Sequence, residues 1–101
     1  MIRHVAALTF IDAVTDEQIR AIEDALTNLP SHVPELRAYS FGRDLSIDDR
    51  NAHFVVVADV DSIEAYRAYR DNPEHQRVLA ELIRPVLASR TAVQYEVDDA
   101  P

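Results

Sequence analysis

The chain contains no cysteine. That excludes disulfides, thiolate zinc sites and cysteine nucleophiles together, and it fits a reducing compartment. Glycine is nearly as scarce. Gly42 stands alone, so neither a P-loop nor a GxGxxG turn is available, since each needs several glycines. Lysine is missing too, and all ten basic residues are arginine. Against eighteen acids they leave a formal charge of −8, which argues against a nucleic acid or an anionic membrane as partner. No long hydrophobic run exists. The longest wholly apolar stretches, Val5–Leu8 and Phe54–Ala58, fall far short of the ~20 residues of a membrane-spanning helix. Arg3 followed by Val5–Ile11 has the outline of a weak signal peptide. Asp12 interrupts it, and no small-x-small cleavage site follows. A cytoplasmic protein is expected.

What is present is an ordinary globular balance, 48% apolar and 28% charged over 101 residues, enough for one domain with its own core. Residues 1–97 read as that domain and 98–101 as a flexible acidic tail. Ile2–Ile11 is apolar on both alternations, the pattern of a strand buried on both faces. Thr15 and Gln18 form a capping box, after which Ile19, Ile22, Leu26 and Leu29 recur at helical spacing. Pro30 and Pro34 end that helix. Leu36–Leu45 reads as a second strand with Gly42 near a bulge or turn, and Ser46–Asn51 as a loop. His53–Val60, with four valines and Phe54, is the strongest strand signal. Asp61 and Glu64 start a second helix carrying Ile63, Tyr66 and Tyr69. Asn72-Pro73 breaks it and starts a third, with Val78, Leu79, Leu82 and Ile83 as its apolar stripe up to Pro85. Thr91–Val97 alternates as a last strand.

The order β-α-β-β-α-α-β predicts an α+β, ferredoxin-like fold with a four-stranded sheet. The first and third strands are expected as central, parallel neighbours with every helix on one face. Both central strands are apolar on both sides, so the uncovered face calls for a second copy: a homodimer packed sheet to sheet.

Four residues stand where chemistry is possible. His4 opens the first strand and His53 the third; parallel pairing would bring both imidazoles to one end of the sheet. Tyr69 ends one helix and His75 follows the Asn72 cap, and the Asn-Pro break turns both side chains toward one mouth. A histidine in the first turn of a helix is favoured neutral, the form that takes a proton near pH 7. A tyrosine hydroxyl, with an ordinary pKa of ~10, donates well to a carbonyl or enolate oxygen. Structural readings stand beside these: Tyr69 continues a packing stripe, and His4 and His53 on buried strands are ordinary hydrogen-bonded core or interface residues. No carboxylate completes a two-histidine metal site, and the Asp44, Asp48, Asp49 run lacks the spacing of a calcium loop. Neither a metal nor a cofactor is expected.

The opening Ile2-Arg3-His4-Val5, Gly42-Arg43-Asp44, the His53–Val60 strand, Tyr69 through Pro73 to His75, and Leu82-Ile83-Arg84-Pro85 give the chain its resemblance to a known family. It resembles the stress-responsive dimeric α/β-barrel (Dabb) proteins over nearly its whole length. The resemblance implies two ferredoxin-like chains forming one barrel. It is similar in particular to olivetolic acid cyclase-like members, which close a polyketide thioester by aldol chemistry. Their acid–base tyrosine and histidine match Tyr69 and His75, and their two further pocket histidines match His4 and His53. A fern hydroxynitrile lyase of similar fold likewise implies carbon–carbon bond chemistry without metal. Asn72 departs from the family, where histidine is common, and looks like a cap.

Two functions follow. One is a stress-responsive barrel protein that binds a small, largely apolar ligand in the barrel cavity, with His4, His53, Ala6 and Val55 at the ligand. The other is a cofactor-independent cyclase or lyase in which His75 is the base and Tyr69 the acid beside a substrate carbonyl. The residues leave the choice between them, and whether the protein is an enzyme, open.

Overall fold

The computed structural model describes residues 1–98. Of the expected tail, Asp98 is exposed and residues 99–101 lie outside the described residues. Strict alternation over β1 (Ile2–Phe10) sends His4, Ala6, Leu8 and Phe10 into the core and leaves Val5 and Ala7 half-buried on the other side. The capping box forms at Thr15: its hydroxyl accepts from the Gln18 N–H at 3.1 Å, and the Gln18 side chain accepts from the Thr15 N–H at 2.9 Å. It starts α1 (Asp16–Asn28), whose Ile22 and Leu26 are buried. Beyond Asn28 the chain tightens into a 3-10 turn at Leu29–His32, because Pro30 offers no N–H to continue the helix.

The remaining elements are β2 (Ala38–Arg43), β3 (Phe54–Val60), α2 (Ile63–Asp71), α3 (Pro73–Val78) and β4 (Leu87–Glu96). Ser62, rather than Asp61, caps α2 by accepting from the Ala65 N–H at 3.1 Å. Asp61 instead binds Arg37 at 2.6 Å. Asn72 caps α3 as its sequence implies: its side-chain oxygen accepts from the N–H groups of Glu74 and His75, at 2.9 and 3.3 Å. Its amide also donates to the His32 carbonyl at 3.0 Å, tying the α2–α3 break to the end of α1. After α3 the helix widens into a π turn, Leu79–Ile83, closed by the Arg84 N–H bonding to the Leu79 carbonyl. A 3-10 turn, Arg84–Val86, then delivers the chain to β4, which begins earlier than the Thr91 start read from alternation. Gly42 lies inside β2, paired with Val55; the left-handed residues are Ser46 and Arg50 in the following loop.

The four strands run in the order β2-β3-β1-β4, every pair antiparallel. This is the ferredoxin-like α+β sheet, but it corrects the expected parallel pairing of the first and third strands. The α1 crossover returns β2 in the direction of β1, leaving a gap between them. The loop after β2 then reverses the chain, so β3 enters the gap running against β1. Ile2 therefore faces Val60 and Leu8 faces Phe54, and His4 and His53 sit at opposite ends.

The helices cover one face only. Ile22, Leu26, Leu29, Tyr69, Val78 and Ile83 join Leu8, Phe10, Phe54, Val56 and Ala58 in a single core. Each fully buried large aliphatic there contributes about 1.5–3 kcal/mol. Arg43 at the end of β2 clamps α1 to the sheet through Asp16 and Glu23, at 2.6 and 2.8 Å. Across the sheet, Val5, Val57 and Val93 share a row. Val55 is 37% exposed, Val93 55% and Tyr95 47%. No helix is long and apolar enough to cross a membrane among the described residues.

Candidate ligand cavity

Small side chains make the space. On the helix-facing side of the sheet, His4 lies between Ala58 and Gln94, and Ala6 lies between Val56 and Ala92. Because Ala6, Ala58 and Ala92 reach only one carbon out, the helices are held above the sheet by larger residues around them. A cavity of about 400 Å³ remains, in the range of small-molecule sites. It is floored by His4, Ala6 and Val56 and roofed by Tyr66, Tyr69 and His75.

His4 is 4% exposed. Its Nδ1 meets the side-chain nitrogen of Gln94 at 2.8 Å. An amide nitrogen only donates, so Nδ1 accepts and the imidazole proton resides on Nε2. Burial first, then the positive Arg90 and His75, push the His4 pKa down to about 4. It is neutral at pH 7. The Tyr66 and Tyr69 rings surround it at 5.2 and 6.0 Å between centroids.

Tyr69 and His75 come together as the Asn-Pro break allows, their rings stacked with centroids 4.4 Å apart. The Asn72 cap turns the chain sharply, so α3 leaves α2 at the point where both side chains face the cavity. His75 Nδ1 lies 2.9 Å from the Arg70 carbonyl. A carbonyl only accepts, so Nδ1 carries the proton and neutral His75 keeps a bare Nε2 lone pair. Burial lowers the His75 pKa; the Arg70 carbonyl opposes this, while Arg90 and Arg84 push it down further. Burial also pushes Tyr69 up to about 12, so its hydroxyl is a donor throughout the neutral range.

Tyr39, on β2 in the same cross-strand row as Ala58 and His4, adds a second hydroxyl to the cavity wall. It lies close enough to Tyr69 to perturb its ionisation, but the two do not meet in hydrogen-bonding geometry. Among the described residues, the Tyr39 hydroxyl is the one buried side-chain polar atom without a partner. Burial drives its pKa up.

Two expected site residues lie elsewhere. His53 is exposed at the far end of β3, where its Nδ1 accepts from the Phe10 N–H at 3.0 Å. Antiparallel pairing puts it there. Val55 lies on the open face, in a shallow hollow with Ala7, Gly42 and Leu45, since it alternates with the cavity-lining Val56. The cavity itself lies between sheet and helices, not in the barrel interior that two open faces would enclose. Tyr39, Tyr66, Arg84 and Arg90 line it and were not singled out from the sequence. Tyr66 shares the Ile63–Tyr69 stripe and Tyr39 alternates with Phe41, and strand direction was the missing step in placing them. No three His, Asp or Glu side chains among the described residues converge on a metal-sized site.

The profile of the stress responsive A/B barrel domain family matches residues 2–97. A dimeric ferredoxin-like protein of unknown function from Thermobifida fusca is 45% identical, with a TM-score of 0.89, over 95% of this chain and 90% of that one. A dimeric ferredoxin-like protein of unknown function from Bacteroides fragilis is 19% identical with a TM-score of 0.84, over 95% of each chain. A hydroxynitrile lyase from Passiflora edulis is 17% identical with a TM-score of 0.83, over 98% of this chain and 94% of that one. At such identities the last two show a shared fold. No curated protein matches the sequence.

Proposed function

The chain belongs to the stress responsive A/B barrel domain family, and from that premise we propose that it binds a small, largely apolar molecule bearing a carbonyl oxygen in the cavity beneath its sheet. The observation that carries this is the buried Tyr39 hydroxyl, which has no partner in the protein. A buried donor left unpaired costs about 1–3 kcal/mol, a cost that a ligand oxygen removes. Tyr69 and the Nε2–H of His4 supply further donors, and the rest of the lining is mainly apolar. The open sheet face is covered by a second copy. In support, the 45% identical neighbour is described as dimeric, and Val55, Val93 and Tyr95 are too exposed here for a resting surface.

A ring-resolved NMR titration with 4-phenyl-2-butanone tests the reading, using the four histidines as reporters. The ring signals of His4 and His75 shift, while His32 and His53, remote from the cavity, stay still. Equal shifts at all four, or none at millimolar ketone, would remove the cavity from consideration.

A second reading is favoured by one observation, the His75 tautomer. With Nδ1–H held by Arg70, the bare Nε2 is a base beside a tyrosine donor, the pair needed to take a proton from the carbon next to a carbonyl. The Passiflora neighbour is a hydroxynitrile lyase, which raises interest in such chemistry without establishing it for this chain. Deuterium incorporation into the ketone in D2O reads it directly. Exchange runs above the buffer rate and falls by about 10²-fold or more in Tyr69→Phe and in His75→Gln. A rate equal to buffer leaves the binding reading alone.

A further inference from the structure

The arginines divide unevenly. Arg3, Arg20, Arg37, Arg43, Arg70 and Arg77 are held by carboxylates at 2.6–2.9 Å. Arg84 and Arg90 are exposed and pair with no carboxylate among the described residues, and both line the cavity. Arg90 projects from β4 opposite Leu8; Arg84 opens the 3-10 turn that follows the π turn. No aspartate or glutamate lines the cavity. In a chain of net charge −8, this mouth is locally positive against the composition of the whole.

We infer that the ligand is an anionic amphiphile, its apolar body in the cavity and a carboxylate or phosphate group held at the mouth by Arg84 and Arg90. This inference rests on the cavity being the binding site. A guanidinium fork suits either anion, because its paired N–H groups match two oxygens of one group. The mouth and interior are electrically connected: Arg90 acts on His4, His75 and Tyr69, and Arg84 on His75. An anion seated there neutralises the field that now opposes positive charge on His75. The head group thus tunes the base while the tail fills the space.

Octanoate, octyl phosphate and methyl octanoate, titrated against the full chain with His4 and His75 signals as readout, test this. Octanoate is expected to bind about tenfold more tightly than its uncharged methyl ester, the discount for an exposed mouth included. The preference disappears in the Arg84→Gln/Arg90→Gln double variant and survives in Arg67→Gln, which removes an unpaired arginine remote from the cavity. Octyl phosphate binding above octanoate identifies a phosphate ligand, and the reverse order a carboxylate; each supports the inference. Equal binding of acid and ester, with His4 and His75 still shifting, overturns the anionic mouth and leaves the cavity reading intact. An equal loss in Arg67→Gln also overturns it, because the effect is then one of overall charge. If none of the three moves His4 or His75, the cavity reading falls and this inference with it.

Discussion

His4 makes the sharpest test of the packing described above, because it is a titratable group enclosed on every side. It is 4% exposed, its Nδ1 already accepts from the Gln94 amide at 2.8 Å, and two tyrosine rings flank it. Protonating it would bury a charge and turn an accepted hydrogen bond into two donors facing each other. Its pKa accordingly falls from the ordinary 6.5 to about 4. Between those values the unfolded chain binds a proton that the folded chain refuses, so stability rises with pH across this window. The contribution is complete above pH 6.5 and is lost as pH falls toward 4. At about 1.4 kcal/mol for each pKa unit, the loss is about 3 kcal/mol in all, a large part of a small domain's ~5–15 kcal/mol. Down to pH ~5 the carboxylates stay charged, and His4 alone accounts for about 2 kcal/mol. Urea unfolding between pH 7.5 and 5, at fixed protein concentration, measures it. His75, also pushed down, adds in the same direction, so the comparison is with His4→Asn, which keeps an acceptor for Gln94 and does not titrate. The variant should show a pH dependence shallower by that amount. An unchanged slope, or an NMR titration midpoint for His4 near 6.5, would refute the enclosure argument.

Three further outcomes follow from single contacts. Tyr39→Phe removes an unpartnered buried hydroxyl, so the melting temperature of the free protein should hold or rise while ketone affinity drops; a loss of stability above about 1 kcal/mol would show that the hydroxyl already has a partner. Val57→Glu puts a charge at the centre of the open face, opposite Val5, and should halve the mass measured by light scattering with the circular dichroism spectrum preserved; a surviving dimer would mean that the copies pair elsewhere. Asn72→Ala strips the α3 cap and the tether to His32 and should cost about 1–2 kcal/mol in urea unfolding while moving the His75 ring signals. A cost near zero would place the α2–α3 corner under other control.

Local signals in this chain translated well because each is satisfied within a few residues. The Thr15 box, the Asn72-Pro73 restart and the alternation of β1 and β3 all concern near neighbours. Family membership was legible from Tyr69, Pro73 and His75 in sequence. Strand direction was not, because an alternating strand reads the same either way and only the connection after β2 sets it. That single reversal explains why His53 and Val55 were expected at the ligand and lie elsewhere. The unpaired state of Arg84 and Arg90 is equally invisible locally, since it depends on which carboxylates the fold brings near the other arginines. Tyr39 needed two strand pairings before its hydroxyl could be seen to lack a partner.

The π turn at Leu79–Ile83 has a consequence for how this chain tolerates change in length. A π turn is, in effect, an α-helix carrying one residue too many. Deleting a single residue there would relax the segment into regular α-helix and rotate everything after it by about 100° about the axis. Ile83 would leave the core and Arg84 the mouth, although no contact residue had been replaced. Such a deletion should therefore damage binding more than any conservative substitution in the same stretch. The phase of the helix, as much as the identity of its side chains, is what aims this end of the molecule at the cavity.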